Sequence, residues 1–266
     1  MLEITSKKRD INDVRRGFMR DPAHFRVRFD VARQIIGILG SLGVDCVGKR
    51  LLDIGSGDGV IDLAMAHEAQ SAISGIDIDK TCKDDLIAAA RSAGYEKQAA
   101  AASLEFKQSS PSEIPYSSNR FDHIYSWSVF EHVWSPIPLL KEARRVLKSN
   151  GTLFIQIWPM WKSQYGAHLF DKFENWSHLV RSREEVIRKH EDVIGNPDLF
   201  HFATASYDSC TRIEIDELQR AILAAGFKVI WVEFITGAFS IPDNLQHLAW
   251  REMGLQGIKL VAVKNS

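Results

Sequence analysis

Short apolar runs recur along the chain at Arg50–Ile54, Ala72–Ile76, Leu104–Lys107, Phe121–Ser126 and Thr152–Ile157, with stretches of helical period between them. That alternation predicts parallel strands joined by crossover helices, and therefore a doubly wound α/β sheet. Further on, Phe227–Ile235 reads as another strand and Ile258–Val263 as the last. Several helix ends carry their own chemistry. Ser135 stands as an N-cap before Pro136, and Leu139, Leu140, Ala143, Val146 and Leu147 make one apolar face. Arg144, Arg145 and Lys148 sit near the negative end of that helix, and Asn150-Gly151 is expected to stop it. Asp216 and Gln219 form a candidate capping box for a helix that ends at Gly226.

Between Trp158 and Asp208 the strand-helix rhythm breaks for about fifty residues, too many for a plain connection. This stretch reads as an insertion with a capped helix from Ser182. It carries Trp158, Trp161, Tyr165, Phe170, Phe173 and Trp176 together with His168 and His178. The expected organisation is an N-terminal helical segment over 1–47, an α/β core over 48–157, an inserted cap over 158–210 and the rest of the core over 211–266. The basic N-terminal residues are interrupted by Asp10, Asp13, Asp21 and Asp30, which argues against a transit peptide and for a solvent-facing helix.

Composition narrows the class of partner. With 266 residues, 45% hydrophobic and 25% charged, the chain can bury a full core. A formal net charge of -1 gives no general attraction to nucleic acid or to an anionic membrane surface. No apolar run approaches the roughly 20 residues of a membrane span, and no signal peptide is recognisable. The three cysteines, Cys46, Cys82 and Cys210, form no metal-ligand spacing, so neither a metal nor a disulfide framework is expected. A cytoplasmic protein with a small-molecule partner fits these features.

The candidate chemistry lies in "LLDIGSGDGVIDLAMAH", Leu51 to His67. A glycine loop between a strand and its helix lets a ligand approach the backbone and meet unpaired N–H groups. A dinucleotide loop needs G-x-G-x-x-G, yet the glycines here are Gly55, Gly57 and Gly59, with Val60 in the expected third place. Charge separates the candidates further. Asp53 and Asp58 would repel a diphosphate by roughly 1 to 4 kcal/mol at about 4 Å, but would attract a cationic ligand.

The motif "LDIGSGDG" resembles motif I of the class I S-adenosylmethionine (SAM)-dependent methyltransferases. "SGIDID", "SSPSEIPYSSNRFDHIYSWSVFEHV" and "LLKEARRVLKSNGTLFIQ" are similar to the later signatures of that family, over about 48–157 and 211–264. The resemblance implies a seven-stranded, mostly parallel Rossmann-like sheet and SAM as cofactor. It places Asp53 near the amino-acid end of SAM, the backbone of Gly55, Ser56 and Gly57 against the cofactor, and Asp77 on the ribose hydroxyls. Ile78 would flank the adenine and Ser126 would border the methionine portion. Ser110 stands where the family often has an adenine-contacting Asp, a departure that weakens this contact.

Methyl transfer from a sulfonium needs chiefly an aligned acceptor and exclusion of water. His132 in "FEHV" and His168 in the insertion are the candidate bases for an acceptor proton. Trp161, Tyr165 and Trp176 are candidates for the wall of an acceptor pocket. "SWSVFEH" lacks the Pro-Pro-aromatic motif of DNA amino-methylating enzymes, and the carboxylate and amide set of magnesium-dependent catechol methylation is not recognisable. The leading expectation is a methyltransferase acting on a small organic acceptor. The alternatives are a nicotinamide-dependent oxidoreductase and a non-catalytic SAM-binding scaffold.

Overall fold

The computed structural model describes residues 19, 21–168, 175–194 and 197–264. Among these, seven strands form one sheet: β1 (Arg50–Ile54), β2 (Ala72–Asp77), β3 (Ser103–Gln108), β4 (Phe121–Trp127), β5 (Leu147–Ile157), β6 (Phe227–Thr236) and β7 (Leu255–Lys264). Their order is β3-β2-β1-β4-β5-β7-β6, with β1 to β5 parallel and β7 antiparallel to both neighbours. The chain winds outward from β1 to β3, then returns to lay β4 on the other side of β1. The crevice outside the carboxyl ends of β1 and β4 is therefore the topological switch point, where doubly wound sheets bind ligands.

The central strands are largely apolar because both faces are covered, whereas the edge strands β3 and β6 expose much of theirs. Leu51 joins one apolar layer and its neighbour Leu52 the other. One layer takes in α1 (Pro22–Ser41), α2 (Val60–Glu68), α3 (Lys83–Ser92) and α4 (Glu96–Ala101), which contribute Phe29, Leu63, Leu86 and Ala99 among others. On the opposite face lies α5 (Pro136–Val146), anchored by Leu139, Leu140, Ala143 and Val146. The insertion carries α6 (Ser177–Val180), α7 (Arg183–Ile194) and α8 (Pro197–Ser209). The chain then rejoins the second layer through α9 (Ile215–Ala224), and a short α10 (Trp250–Gly254) precedes β7.

Three local expectations are corrected. The N-terminal helix does not simply face solvent: α1 is capped by Asp21, whose Oδ1 accepts from Ala23 N at 2.8 Å, and buries Phe25, Phe29, Ala32, Ile35 and Leu39. Residues 1–18 lie outside the described residues. Asn150-Gly151 is not a helix stop, because β5 begins at Leu147, directly after α5. Gly151 is needed inside that strand, where a Cβ would come within 2.5 Å of the Asp122 carbonyl oxygen. The capping box of α9 is Glu214 with Glu217, whose carboxylate accepts from Glu214 N at 3.1 Å, rather than Asp216 with Gln219. Ser135 and Pro136 do open α5, although the Ser135 hydroxyl makes no capping bond. Ser182 and Glu185 cap α7 reciprocally, at 3.0 and 3.3 Å.

Within the insertion, Ala167, Val186, Ala203 and Tyr207 form a small core against Trp161 and Ile187. Trp176 is buried separately with Leu245 and Met253, from the connection between β6 and β7. It is thus a packing residue rather than a pocket wall. Phe170 and Phe173 lie outside the described residues. Among the described residues, no helix is long and apolar enough to cross a membrane.

Candidate active site

The loop after β1 is tied to the end of β2 by backbone bonds. Gly55 N and Ser56 N both donate to the Ile76 carbonyl, at 2.8 and 2.9 Å. Asp77 completes the junction: Oδ2 accepts from Gly57 N at 2.8 Å and Oδ1 from Asp79 N at 2.9 Å. Each oxygen keeps a lone pair in reserve. Thr81 Oγ1 donates to the Gly57 carbonyl at 2.9 Å and so receives a bond from Ser56 Oγ at 3.0 Å. Gly55 and Gly57 hold φ of +89° and +53°, the left-handed region that disfavours side chains. A Cβ on Gly55 would overlap the side chain of Val129, which presses the turn after β4 against the loop. A Cβ on Gly57 would meet open space, so this part of the loop faces the crevice.

Electrostatics at the strand end differ from the simple expectation of two ligand-facing anions. Asp58 turns away: Oδ2 bonds His24 Nε2 of α1 at 2.7 Å, and Oδ1 accepts from Val60 N at 3.0 Å. Burial alone would raise the Asp58 pKa, but the bond to His24 and the charge of Arg28 hold it below the usual carboxylate range. Asp53 is buried beside Asp62. Burial, then repulsion from Asp62 and Asp77, pushes the Asp53 carboxyl well above the ordinary range. Burial likewise pushes Asp62 up to about 8, although Oδ1 accepts from Tyr125 OH at 2.9 Å. Asp53 Oδ1 and Asp62 Oδ2 have no hydrogen-bond partner. Two buried acids side by side, both with raised pKa and with unused oxygens, would ionise more readily beside a cationic ligand, whereas a diphosphate would only add to the repulsion that raises them.

The remaining predicted cofactor residues separate into two groups. Ile78 follows β2 and is 59% exposed, available as an apolar platform. Ser109 N donates to the Asp77 carbonyl at 2.8 Å, so the exposed Ser110 leaves β3 beside the end of β2. Ser126, in contrast, is fully buried and donates to the Ile54 carbonyl at 2.8 Å, locking β4 to β1. Its hydroxyl is a structural tie and does not reach the crevice.

His132 and His168 do come together, with ring centroids 5.0 Å apart, although 36 residues separate them in sequence. Burial lowers the His132 pKa against a bond to Ser209 that raises it, and pushes His168 down to about 3, helped by His132 and His178. Both rings are neutral at pH 7. His178 is structural: it bonds the Trp161 carbonyl at 2.7 Å through Nε2, and burial brings it down to about 4. Glu131, which sequence reasoning passed over, belongs with the two histidines. One ligand atom from each of Glu131, His132 and His168 lies within 4.8 Å of the others. Glu131 is 4% exposed, both its oxygens lack hydrogen-bond partners, and burial pushes it up to about 8. The adjacent Glu-His in "FEHV" was the available signal. A small cavity beside Glu131 is lined by Met160, Trp161, Cys210 and Arg212.

A glycine loop pinned by an acid at the end of β2, with Asp53 of β1 buried beside Asp62 and the switch point between them, is the arrangement expected of a SAM-binding crevice. Residues 52–155 match the family model of a methyltransferase domain. The ubiquinone biosynthesis O-methyltransferase of Pseudomonas aeruginosa (strain LESB58) is 26% identical over 179 residues, covering 60% of this chain and 74% of the relative. A SAM-dependent methyltransferase from Aquifex aeolicus shares the fold with a TM-score of 0.53 and 17% identity, over 96% of this chain and 98% of that one. Geranyl diphosphate methyltransferase in complex with SAM gives a TM-score of 0.57 at 13% identity, over 91% and 90%. Residues 52–155 carry a methyltransferase domain, and the chain shares its fold with SAM-dependent methyltransferases.

Proposed function

We propose that the protein transfers the methyl group of SAM to a hydroxyl oxygen of a small organic acceptor bound between the turn after β4 and the insertion. The observation that carries this reading is the pairing of two neutral imidazoles at 5.0 Å, His132 on the turn that Val129 presses against the glycine loop and His168 in the insertion. The similarity to O-methyltransferases supports oxygen as the accepting atom.

Asp77 and Ile78 are assigned to the ribose and adenine, with Ser110 at the adenine edge. The backbone of Gly55, Ser56 and Gly57 lies along the cofactor, and Asp53 holds the amino-acid end. When bound, SAM supplies an activated methyl on a sulfonium, which an aligned nucleophile displaces in line. The chain's own part is alignment, exclusion of water and management of the acceptor's proton. His132 and His168 stand where that proton leaves, and their neutrality at pH 7 gives them lone pairs for it. Trp161, beside the cavity at Glu131, offers apolar surface to the acceptor.

The test is incubation of the purified chain with SAM and a panel of phenols, catechols and aliphatic alcohols. S-adenosylhomocysteine is followed by a coupled assay and the product by mass spectrometry. An O-methylated product supports the reading. Methylation confined to amines or carbon acids overturns the choice of oxygen.

A further inference from the structure

We propose that Glu131, His132 and His168 form a binding site for one divalent transition-metal ion, which receives the acceptor oxygen. The proposal rests on the reading of this end of the crevice as the acceptor site. Sequence spacing gave no reason to expect a metal, because the ligands come from two distant segments.

The first argument is the cost of the cluster as it stands. A buried polar group without a partner is unfavourable by about 1–3 kcal/mol, and more when charged. Glu131 places two such oxygens in the interior, and His168 Nε2 is a third unpartnered buried atom. A direct hydrogen bond between Glu131 and a histidine would remove that cost, yet neither Glu131 oxygen makes one. One ligand atom from each of the three residues already falls within 4.8 Å of the others. A metal bound at about 2.0–2.1 Å needs its ligand atoms about 3.3 Å apart, a contraction within the reach of side-chain rotation.

The second argument is the proton on His132. Ser209 Oγ donates its single hydrogen to the Ser206 carbonyl at 2.9 Å. Its contact with His132 Nδ1, also 2.9 Å, is satisfied at the same time when Nδ1 carries the ring hydrogen. In that tautomer Nε2 keeps the lone pair. A histidine whose second nitrogen is fixed by an outer oxygen acceptor is the usual arrangement around a bound metal. The supporting frame is rigid as well: Thr211 N and Oγ1 both donate to the Glu131 carbonyl, at 2.8 and 3.1 Å, fastening the exit of the insertion to the turn that bears two ligands.

The donor set decides the kind of ion. Two imidazoles and one carboxylate suit Zn(II), Fe(II), Co(II) or Mn(II), whereas Mg(II) and Ca(II) favour oxygen cages. Three protein ligands leave a coordination position for a hydroxyl. With their lone pairs on the ion, His132 and His168 no longer take the proton themselves; an acceptor oxygen bound there loses it to solvent more readily, since coordination to such an ion brings even water into the neutral range.

The experiment uses the full chain, stripped with chelator and checked for fold by circular dichroism. Zn(II) retention is measured by mass spectrometry after gel filtration, and Co(II) binding by its visible ligand-field absorption. One metal per chain is expected. Glu131→Gln and His168→Gln should each abolish the cobalt spectrum, and Ser209→Ala should weaken binding by roughly tenfold. His168 lies in the insertion, so its variant carries the test if Glu131→Gln fails to fold. No metal on the native chain, or undiminished binding in folded His168→Gln, overturns the site. Calorimetry with S-adenosylhomocysteine on the same stripped sample separates the two readings: retained binding without any metal defeats only the metal site, and absent nucleoside binding defeats the methyltransferase reading itself.

Discussion

Replacing Asp77 by alanine perturbs the cofactor crevice and the loop that shapes it. The carboxylate accepts from Gly57 N at 2.8 Å and Asp79 N at 2.9 Å, so the substitution frees two backbone donors. Both lie near the surface and water can replace the lost acceptor, which limits the effect on folding to about 1 kcal/mol. The effect on ligand binding should be larger. A carboxylate facing two ribose hydroxyls contributes charge-assisted bonds, and their loss weakens affinity by roughly 1–3 kcal/mol, about 5- to 150-fold. Asp77→Asn keeps one carbonyl oxygen and should fall between native and alanine. The assay is titration calorimetry with S-adenosylhomocysteine, alongside thermal melts that report the folding effect separately. Native affinity in folded Asp77→Ala would remove this residue from the cofactor site and, with it, the assignment of Ile78 and Ser110 to the adenine.

Three further outcomes follow from the same geometry. Gly55→Ala should destabilise the chain by about 2–5 kcal/mol, combining left-handed strain with overlap onto Val129, and Val129→Ala in the same chain should recover only the overlap part; melts of the two variants measure the split. Binding a cationic ligand beside Asp53 should favour its ionised form, because burial and Asp62 raise that carboxyl's pKa in the free chain; calorimetry in buffers of different ionisation enthalpy should detect a proton released on binding, and Asp53→Asn should diminish it. Asp62 is raised to about 8 in the folded chain from an unfolded value near about 3.9, so the folded state holds a proton that the unfolded state gives up. Its stabilising contribution is complete below about pH 4 and is lost as pH rises through about 8. Melting temperatures between pH 6.5 and 8.5 should therefore fall more steeply for the native chain than for Asp62→Asn.

Much of this site was legible along the chain because its cofactor half is local. Gly55, Gly57 and Asp77 lie at the ends of adjacent parallel strands, and a loop of that type fixes its backbone within a few residues. Asp58 misled because charge was counted without direction: its carboxylate answers His24, from a helix 34 residues away. Ser126 misled in the same way, since a position bordering the crevice says nothing of where a hydroxyl points, and this one bonds the neighbouring strand. Gly151 reads as a turn signal next to Asn150, yet it serves close approach to Asp122 inside a strand.

Apolar periodicity and the glycine-acid spacing alone determined the α/β class, the strands and the preference for a cationic cofactor over a dinucleotide, because those properties depend on nearest neighbours in sequence. Only the tertiary structure decided which acids burial and neighbouring charges perturb, how His132 meets Ser209, and that Glu131 lies beside His132 and His168. Burial and hydrogen-bond partners set those properties, and the groups that supply them arrive from segments far apart in the chain, meeting only when the insertion packs against the end of the sheet.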